Sequence, residues 1–124
     1  MIRCVTLVAA LAVMPALAQS PRNFTVKALR GELVIVQPPD VRLNGQPARL
    51  APGARIRDEN NLVQLSGSLI NRRFVVNYTS DLSGNLLDVW VLTPQERARQ
   101  PWPTSAAEAA AWRFNAAAQT WSKP

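Results

Sequence analysis

Short stretches of alternating apolar and polar residues, separated by turn residues about every ten positions, run from Phe24 to Leu92. The predicted strands in chain order are Phe24–Leu29, Glu32–Val36, Val41–Leu43, Gln46–Leu50, Arg55–Arg57, Leu62–Leu65, Arg72–Thr79 and Leu86–Leu92. The first two flank Gly31 and form either one bent strand or two short ones. About 70 residues are too few for two full sheets, and closing a sheet removes its exposed edges. The pattern therefore predicts a mainly β fold with a small closed or nearly closed barrel.

The most specific local signal is Asn44-Gly45, because this pair adopts the positive φ angles that a two-residue hairpin needs. In that register Val41 pairs with Ala48 and Leu43 pairs with Gln46. The predicted inward residues are Val41, Leu43, Ala48 and Leu50, and the predicted outward residues are Arg42 and Arg49. A further turn is predicted at Pro52-Gly53.

Composition changes after Leu92, which separates a β-barrel domain (residues 19–93) from a Pro/Trp/Ala-rich segment (residues 94–124). A Thr cap, a Pro and a Glu predict a short helical turn over Thr93–Glu96. A second cap at Ser105 and eight alanines predict a helix over about residues 105–119, packed on the barrel. On a helical wheel Phe114 and Trp121 share the docked face, and Trp112 is left comparatively exposed as a candidate anchor for a partner. The alternative is an undocked, low-complexity Ala tail.

Several motifs carry a resemblance: Val41-Arg42-Leu43-Asn44-Gly45, then Leu50-x-x-Gly53-x-x-Ile56-Arg57, then Leu65-x-Gly67. Together they resemble small exported bacterial β-barrel modules of unknown function, over about half of the chain beyond residue 18. The resemblance implies an OB-like barrel and a bacterial source, and it brings no activity and no site residues. The expected fold is therefore an OB-like or SH3-like barrel of about five to seven short strands with a C-terminal α-helix packed on it.

The first 18 residues have the composition of a cleavable export signal. Arg3 is followed by an apolar run over Val5–Val13 and by Ala16-Leu17-Ala18 before Gln19. The apolar run is too short for a permanent membrane span. We therefore expect an exported protein, periplasmic in a Gram-negative source and secreted otherwise; an uncleaved anchor is the alternative.

The chain has no His, and its one Cys, Cys4, lies in the predicted signal. Metal sites and nucleophiles that need either residue are therefore excluded beyond residue 18. The adjacent acids Asp58 and Glu59 are expected to stabilise a turn. Asp88 is expected either to face solvent by alternation or to pair with an Arg such as Arg72 or Arg73. We therefore predict no enzyme and no cofactor; a small carboxylate-dependent hydrolase or transferase of the cell envelope is the alternative.

The formal net charge is +6, and almost all of the positive charge is Arg. The candidate residues for binding a polyanion or a partner are Arg42, Arg49, Arg55, Arg57, Arg72, Arg73 and Trp112. Outside the inner membrane the available polyanions are lipid headgroups and wall polymers, so no nucleic-acid partner is expected. The predicted function is a non-catalytic envelope module that binds a protein or an anionic polymer or lipid surface; a basic surface without a specific ligand is the alternative.

Overall fold

The computed structural model describes residues 21–124. Its strands are β1 (Leu29–Gln37), β2 (Asp40–Leu43), β3 (Gln46–Arg57), β4 (Val63–Gln64), β5 (Arg73–Ser80), β6 (Leu86–Val91), β7 (Arg113–Asn115) and β8 (Thr120–Ser122). Its helices are α1 (Pro94–Arg97), α2 (Ala106–Ala111) and a 3-10 turn (Ser66–Leu69). The export signal predicted over residues 1–18 lies outside the described residues and stays a prediction.

Six strands form the main sheet in the order β2-β1-β5-β6-β3-β4, and an additional β2–β3 pairing closes five of them into a ring. β3 and β6 are parallel, and every other pair in this sheet is antiparallel. The short strand β4 pairs with the end of β3. The expected mainly β fold is therefore confirmed, with a closed sheet and only short helices.

The ring encloses the main hydrophobic core. Its fully buried members include Leu33 and Ile35 on β1, Val76 on β5 and Val89 on β6. Their spacing of two residues along each strand places one set of side chains inside, as the pleat of a strand requires. The opposite set faces outward, and on β5 and β6 it is covered by the C-terminal segment.

The Asn44-Gly45 hairpin is confirmed in its predicted register. Both residues have positive φ, 53° and 78°, and Val41 pairs with Ala48 while Leu43 pairs with Gln46. Val41 is buried, whereas Arg42 on the other face is exposed. The local turn chemistry therefore determined which side of this hairpin enters the core.

Two predicted strand boundaries are wrong. Pro52-Gly53 does not end a strand: β3 continues through Gly53 at φ 76°, and its pairing with β6 shifts register between Leu50 and Arg55. Glycine tolerates this conformation, so the strand bends instead of stopping. Residues 24–28 also form no strand, because Phe24 and Ala28 are buried in a second hydrophobic cluster outside the ring.

The predicted helix over residues 105–119 is wrong beyond Ala111. α2 ends there, and β7 and β8 form a hairpin in which Phe114 lies opposite Trp121 with ring centroids 4.8 Å apart. Burial of these rings outweighs the helix propensity of the Ala-rich sequence. Trp112 is half-buried, as Phe114 is, and the Lys123 ammonium lies 5.3 Å from the centre of its ring. The expectation of a comparatively exposed Trp112 is therefore met against the buried Trp121 but not against Phe114.

An aromatic cluster joins this segment to the outer face of β5 and β6. Its buried members are Phe24, Ala28, Leu92, Trp102 and Trp121, with Val75, Trp90, Ala109, Trp112 and Phe114 packed against them. Trp102 lies at its centre, with edge-to-face contacts to Phe24, Phe114 and Trp121 at 5.8 to 6.1 Å. The C-terminal segment therefore forms a second layer on the ring, as two-layer packing requires.

Replacing Gly31 by Ala should destabilise the protein by about 1 kcal/mol, the lower end of the usual cost of overpacking, because the Leu43 and Asn44 side chains that a Cβ would meet can shift. A Cβ at this position would lie 2.8 Å from Leu43 Cδ1 and 3.2 Å from Asn44 Oδ1, and Asn44 accepts a hydrogen bond from the Glu32 amide. Gly67→Ala is the control, because a Cβ at Gly67 would have no neighbour within 4 Å and the φ of this residue is not positive. Urea unfolding of both variants measures the difference; equal losses would contradict the close packing inferred at Gly31.

Candidate functional site

A cleft of about 560 Å³ opens at the end of the ring where β5 begins and where β3 and β6 end. Its apolar lining is Leu69, Phe74, Val75 and Val91, and its polar lining is Asp58, Glu59, Asn60, Gln64, Arg72, Arg73 and Arg97. An apolar floor with a few convergent polar groups is the usual form of a ligand site. The fold thus brings Arg72 and Arg73, both predicted from the sequence, together with Arg97, which the sequence reasoning missed.

The three arginines of the cleft differ in how their charge is balanced. Arg73 Nε lies 2.8 Å from Glu32 Oε1. Arg97 Nη1 donates to the Leu92 carbonyl at 3.0 Å and lies 3.9 Å from Glu59 Oε1. Arg72 is exposed, its guanidinium lies 5.1 Å from the centre of the Phe74 ring, and it has no acidic partner within residues 21–124. Arg72 is therefore the cation of the cleft whose hydrogen-bonding edge is available to an anion.

Asp58 shapes one wall of the cleft as a turn residue. Its carboxylate accepts hydrogen bonds from the backbone N–H groups of Asn60 (2.9 Å) and Leu62 (3.0 Å) and from the Gln64 side chain (2.7 Å). The bond from Leu62, with those from Gln64 and Asn60, holds the pKa of Asp58 below its usual range. Asp58 is thus an ionised carboxylate committed to the loop, in agreement with its interpretation from the sequence.

The position of Arg97 depends on a buried ion pair beneath it. Glu96, on α1 beside Arg97, is fully buried and accepts from the Arg22 amide (2.8 Å), Nε (3.0 Å) and Nη2 (2.7 Å). It also accepts from the Thr93 amide, completing the predicted capping box. Burial raises the pKa of Glu96, but the bonds from Arg22 and Thr93 outweigh burial and lower it to about 2.

A second buried cation, Arg30, fixes the other end of α1. Its guanidinium donates to the carbonyls of Glu96 (3.1 Å), Arg97 (3.3 Å) and Arg99 (2.6 Å), and to Asn77 Oδ1 (3.2 Å). Burial, together with repulsion from Arg99, lowers the pKa of Arg30 to about 10, so it stays charged at neutral pH. A cation at the last carbonyls of a helical turn stabilises that end, so α1 is held at both ends.

Sequence reasoning missed Arg22, Arg30 and Gln119 as anchors of the C-terminal segment. Gln119 is buried; its side chain accepts from the Phe24 amide at 2.7 Å and donates to the Phe24 carbonyl at 3.1 Å. The hydrogen bonds of these three residues with β5, α1 and Phe24 join residues 47 to 95 positions apart. The capping box did single out Glu96, but no local pattern indicates its distant partner.

The remaining predicted residues lie outside the cleft. Arg42 and Arg49 are exposed on β2 and β3, with Arg49 Nε 3.5 Å from Asp40 Oδ1. Arg55 is exposed, and Arg57 Nη1 lies 3.7 Å from Asp88 Oδ1. Asp88 therefore does have an Arg partner, as expected, but this partner is Arg57 and not Arg72 or Arg73, because the parallel β3–β6 pairing aligns Asp88 with the end of β3.

Within residues 21–124, no group of three or more acidic side chains is arranged to hold a metal ion. None of the helices in that range has the length and apolar composition needed to cross a membrane. Comparison with known proteins found no matching family model, no matching curated protein and no matching solved structure. A functional conclusion for this chain therefore depends on the geometry of the cleft.

Proposed function

We propose that this protein is a non-catalytic binding module that captures an anionic group in the cleft through Arg72 and Arg97. The observation that carries the proposal is Arg72, an exposed guanidinium stacked on Phe74 and without an acidic partner among the described residues. A guanidinium presents a planar fork of donors that matches phosphate, sulfate or carboxylate oxygens. The ligand's anionic group would lie against this fork at the mouth of the cleft.

The floor of the cleft suits an amphipathic ligand. Leu69, Phe74, Val75 and Val91 line the cleft together with the arginines, and the Phe74 ring lies 5.1 Å from the Arg72 guanidinium. An anion attached to an apolar or planar portion would bury that portion here while its charge stays at the arginines. The export signal expected over residues 1–18 would place the protein among anionic envelope polymers and lipids.

The sequence-based alternative, a carboxylate-dependent hydrolase or transferase, needs a carboxylate free to move a proton. Asp58 is held by three hydrogen bonds as an ionised turn residue. Glu59 faces the Arg97 guanidinium at 3.9 Å. Asp58 is therefore committed to the turn, and the half-exposed Glu59 has no second free carboxylate beside it among the described residues of the cleft, so we favour binding.

Arg72→Gln should weaken retention on heparin, a soluble sulfated polyanion, about tenfold by removing charge-assisted hydrogen bonds. Arg42→Gln is the matched control: Arg42 is exposed on β2, lies outside the cleft and has no acidic partner among residues 21–124. The two variants change net charge equally, so only a localised site separates them. The measurement is affinity across a salt series, because released counterions make the wild-type dependence steep.

The heparin affinities of the Arg72→Gln and Arg42→Gln variants also define the result that would contradict the proposal. Arg42→Gln should lower affinity about twofold or less. If the two variants lose affinity equally, binding reflects net charge alone and the cleft is not a site.

A further inference from the structure

A short segment beside the cleft exposes an unusual number of apolar side chains. Leu62, Val63, Leu65 and Ile70 are 61%, 61%, 80% and 39% exposed, and they make up half of the eight exposed large hydrophobic residues in the described range. We refer to residues 62–70 as the apolar loop. Scattered single exposed leucines need no explanation, but four in nine residues form a patch of the kind that marks an interaction site.

The apolar loop is continuous with the cationic cleft. Gln64 and Leu69 of the loop line the cleft together with Arg72 and Arg73, which follow the loop closely in the sequence. The chain has no acidic residue from position 60 to position 80. Apolar side chains and the guanidinium of Arg72, unpaired within residues 21–124, therefore occupy the same end of the ring.

The acids near this end are already engaged. Glu32 lies 2.8 Å from Arg73, and Glu59 lies 3.9 Å from Arg97. Asp58 is committed to the turn that begins the loop. Asp58 keeps its negative charge but directs it at backbone N–H groups. Arg72, which follows the apolar loop in sequence and lines the cleft, is therefore the arginine of the cleft without an ion pair among the described residues.

We propose that this end of the molecule docks on an anionic lipid bilayer, with Leu62 and Leu65 inserted into the interface and Arg72 bound to a headgroup phosphate. The proposal rests on the proposed anion site and names its ligand as a membrane surface. Apolar side chains that enter the headgroup region, combined with basic residues that attract anionic lipids, are the two requirements for such binding.

The composition and charge of the patch favour a membrane over other occupants. The exposed side chains of the apolar loop are Leu, Val and Ile, whereas the anchor residues of protein interfaces are enriched in Trp, Tyr and Arg and poor in Leu and Val. A second copy of the chain would also carry a net positive charge, and like charges oppose that association. Anionic lipid headgroups complement both the positive charge and the exposed leucines.

The test is binding to vesicles made of equal parts phosphatidylcholine and phosphatidylglycerol, with phosphatidylcholine vesicles as the uncharged reference. Leu62→Ser/Leu65→Ser should weaken binding to the anionic vesicles about tenfold or more, since two inserted side chains are lost. Both residues are exposed, so the variant should fold normally. Leu82→Ser is the matched control, because Leu82 is fully exposed in the turn after β5, at the opposite end of that strand from Arg73.

Heparin binding separates the two proposals. We expect the Leu62→Ser/Leu65→Ser variant to keep wild-type affinity for heparin, which has no apolar phase, while Arg72→Gln weakens binding to both heparin and anionic vesicles.

Unchanged vesicle binding in the double Leu variant would overturn membrane docking and leave the anion site standing. Equal effects of Arg72→Gln and Arg42→Gln on heparin would overturn the anion site and docking together. Sedimentation of the wild type and the double Leu variant tests self-association. If the wild type is a dimer and the double Leu variant is a monomer, the patch is a dimer interface and membrane docking is overturned.

Discussion

Replacing Glu96 by Gln should lower the free energy of unfolding by about 3–5 kcal/mol at neutral pH, the usual cost of breaking a buried ion pair by removing one partner. The Glu96 carboxylate is fully buried and accepts four hydrogen bonds, three from Arg22 and one from Thr93. Gln keeps the shape but turns an amide NH₂ toward the Arg22 donors. The variant would leave the Arg22 guanidinium, whose side chain is 15% exposed, without its counter-charge.

The same residue gives the protein an acid-sensitive component of stability. The pKa of Glu96 is about 2 in the folded protein, against 4.5 for an unperturbed Glu carboxyl, so the folded state binds its proton more weakly than the unfolded chain does. This contribution, roughly 3 kcal/mol, is fully present above about pH 5 and is lost as the pH falls toward 2. Urea unfolding at a series of pH values should show wild type and Glu96→Gln converging over that range.

Glu59→Gln is the control for this prediction. Glu59 also faces an arginine, Arg97, but at 3.9 Å and with about half of its side chain exposed. An exposed pair of this kind contributes well under 1 kcal/mol, so Glu59→Gln should change stability little. Equal losses in the two variants, or a constant gap between wild type and Glu96→Gln down to pH 2, would contradict the buried pair.

Trp102→Ala should destabilise the protein by about 3–5 kcal/mol. Trp102 is 5% exposed, donates its indole N–H to the Ala28 carbonyl at 2.9 Å, and contacts three aromatic rings of the second cluster. The Arg30 guanidinium also lies 5.1 Å from the centre of its ring. Removing the indole leaves a cavity between the C-terminal segment and the ring of strands. The Ala28 carbonyl also loses its hydrogen-bond donor.

Trp112→Ala is the matched control within the same segment. Trp112 is half-buried at the edge of the cluster, with Lys123 over its ring, so its truncation should cost about 1–2 kcal/mol. Thermal and urea unfolding of both variants measure the difference. A larger loss for Trp112→Ala than for Trp102→Ala would place the centre of the aromatic cluster elsewhere.

The helix over residues 105–119 shows where sequence periodicity misleads. The wheel grouped Phe114 with Trp121 because seven residues make nearly two helical turns. The two rings do pack together, but as opposite residues of a hairpin. A sequence of small residues with two rings at this spacing fits both structures, and only the burial of the rings against Trp102 selects the hairpin.

For the candidate site, the sequence identified Arg72 and Arg73 as basic residues at a strand start, and the turn role of Asp58. It gave equal weight to Arg42, Arg49 and Arg55, which the fold leaves outside the cleft. Strand alternation assigns a side chain to a face of the sheet, but it does not say which face the C-terminal segment covers or where strand ends converge.

The sequence by itself determined what depends on neighbours within a few residues: the Asn44-Gly45 turn and its register, the capping box of α1, and the strands of the ring. Only the tertiary structure decided the contacts between residues far apart, which include Arg22 with Glu96, Arg30 with the end of α1, Gln119 with Phe24, and Asp88 with Arg57. Turn and cap preferences are local because they arise from backbone conformation and adjacent hydrogen bonds. The sequence offers many possible partners for a buried charged side chain. The actual partner is the one that closure of the sheet and burial of the aromatic cluster bring within hydrogen-bonding distance.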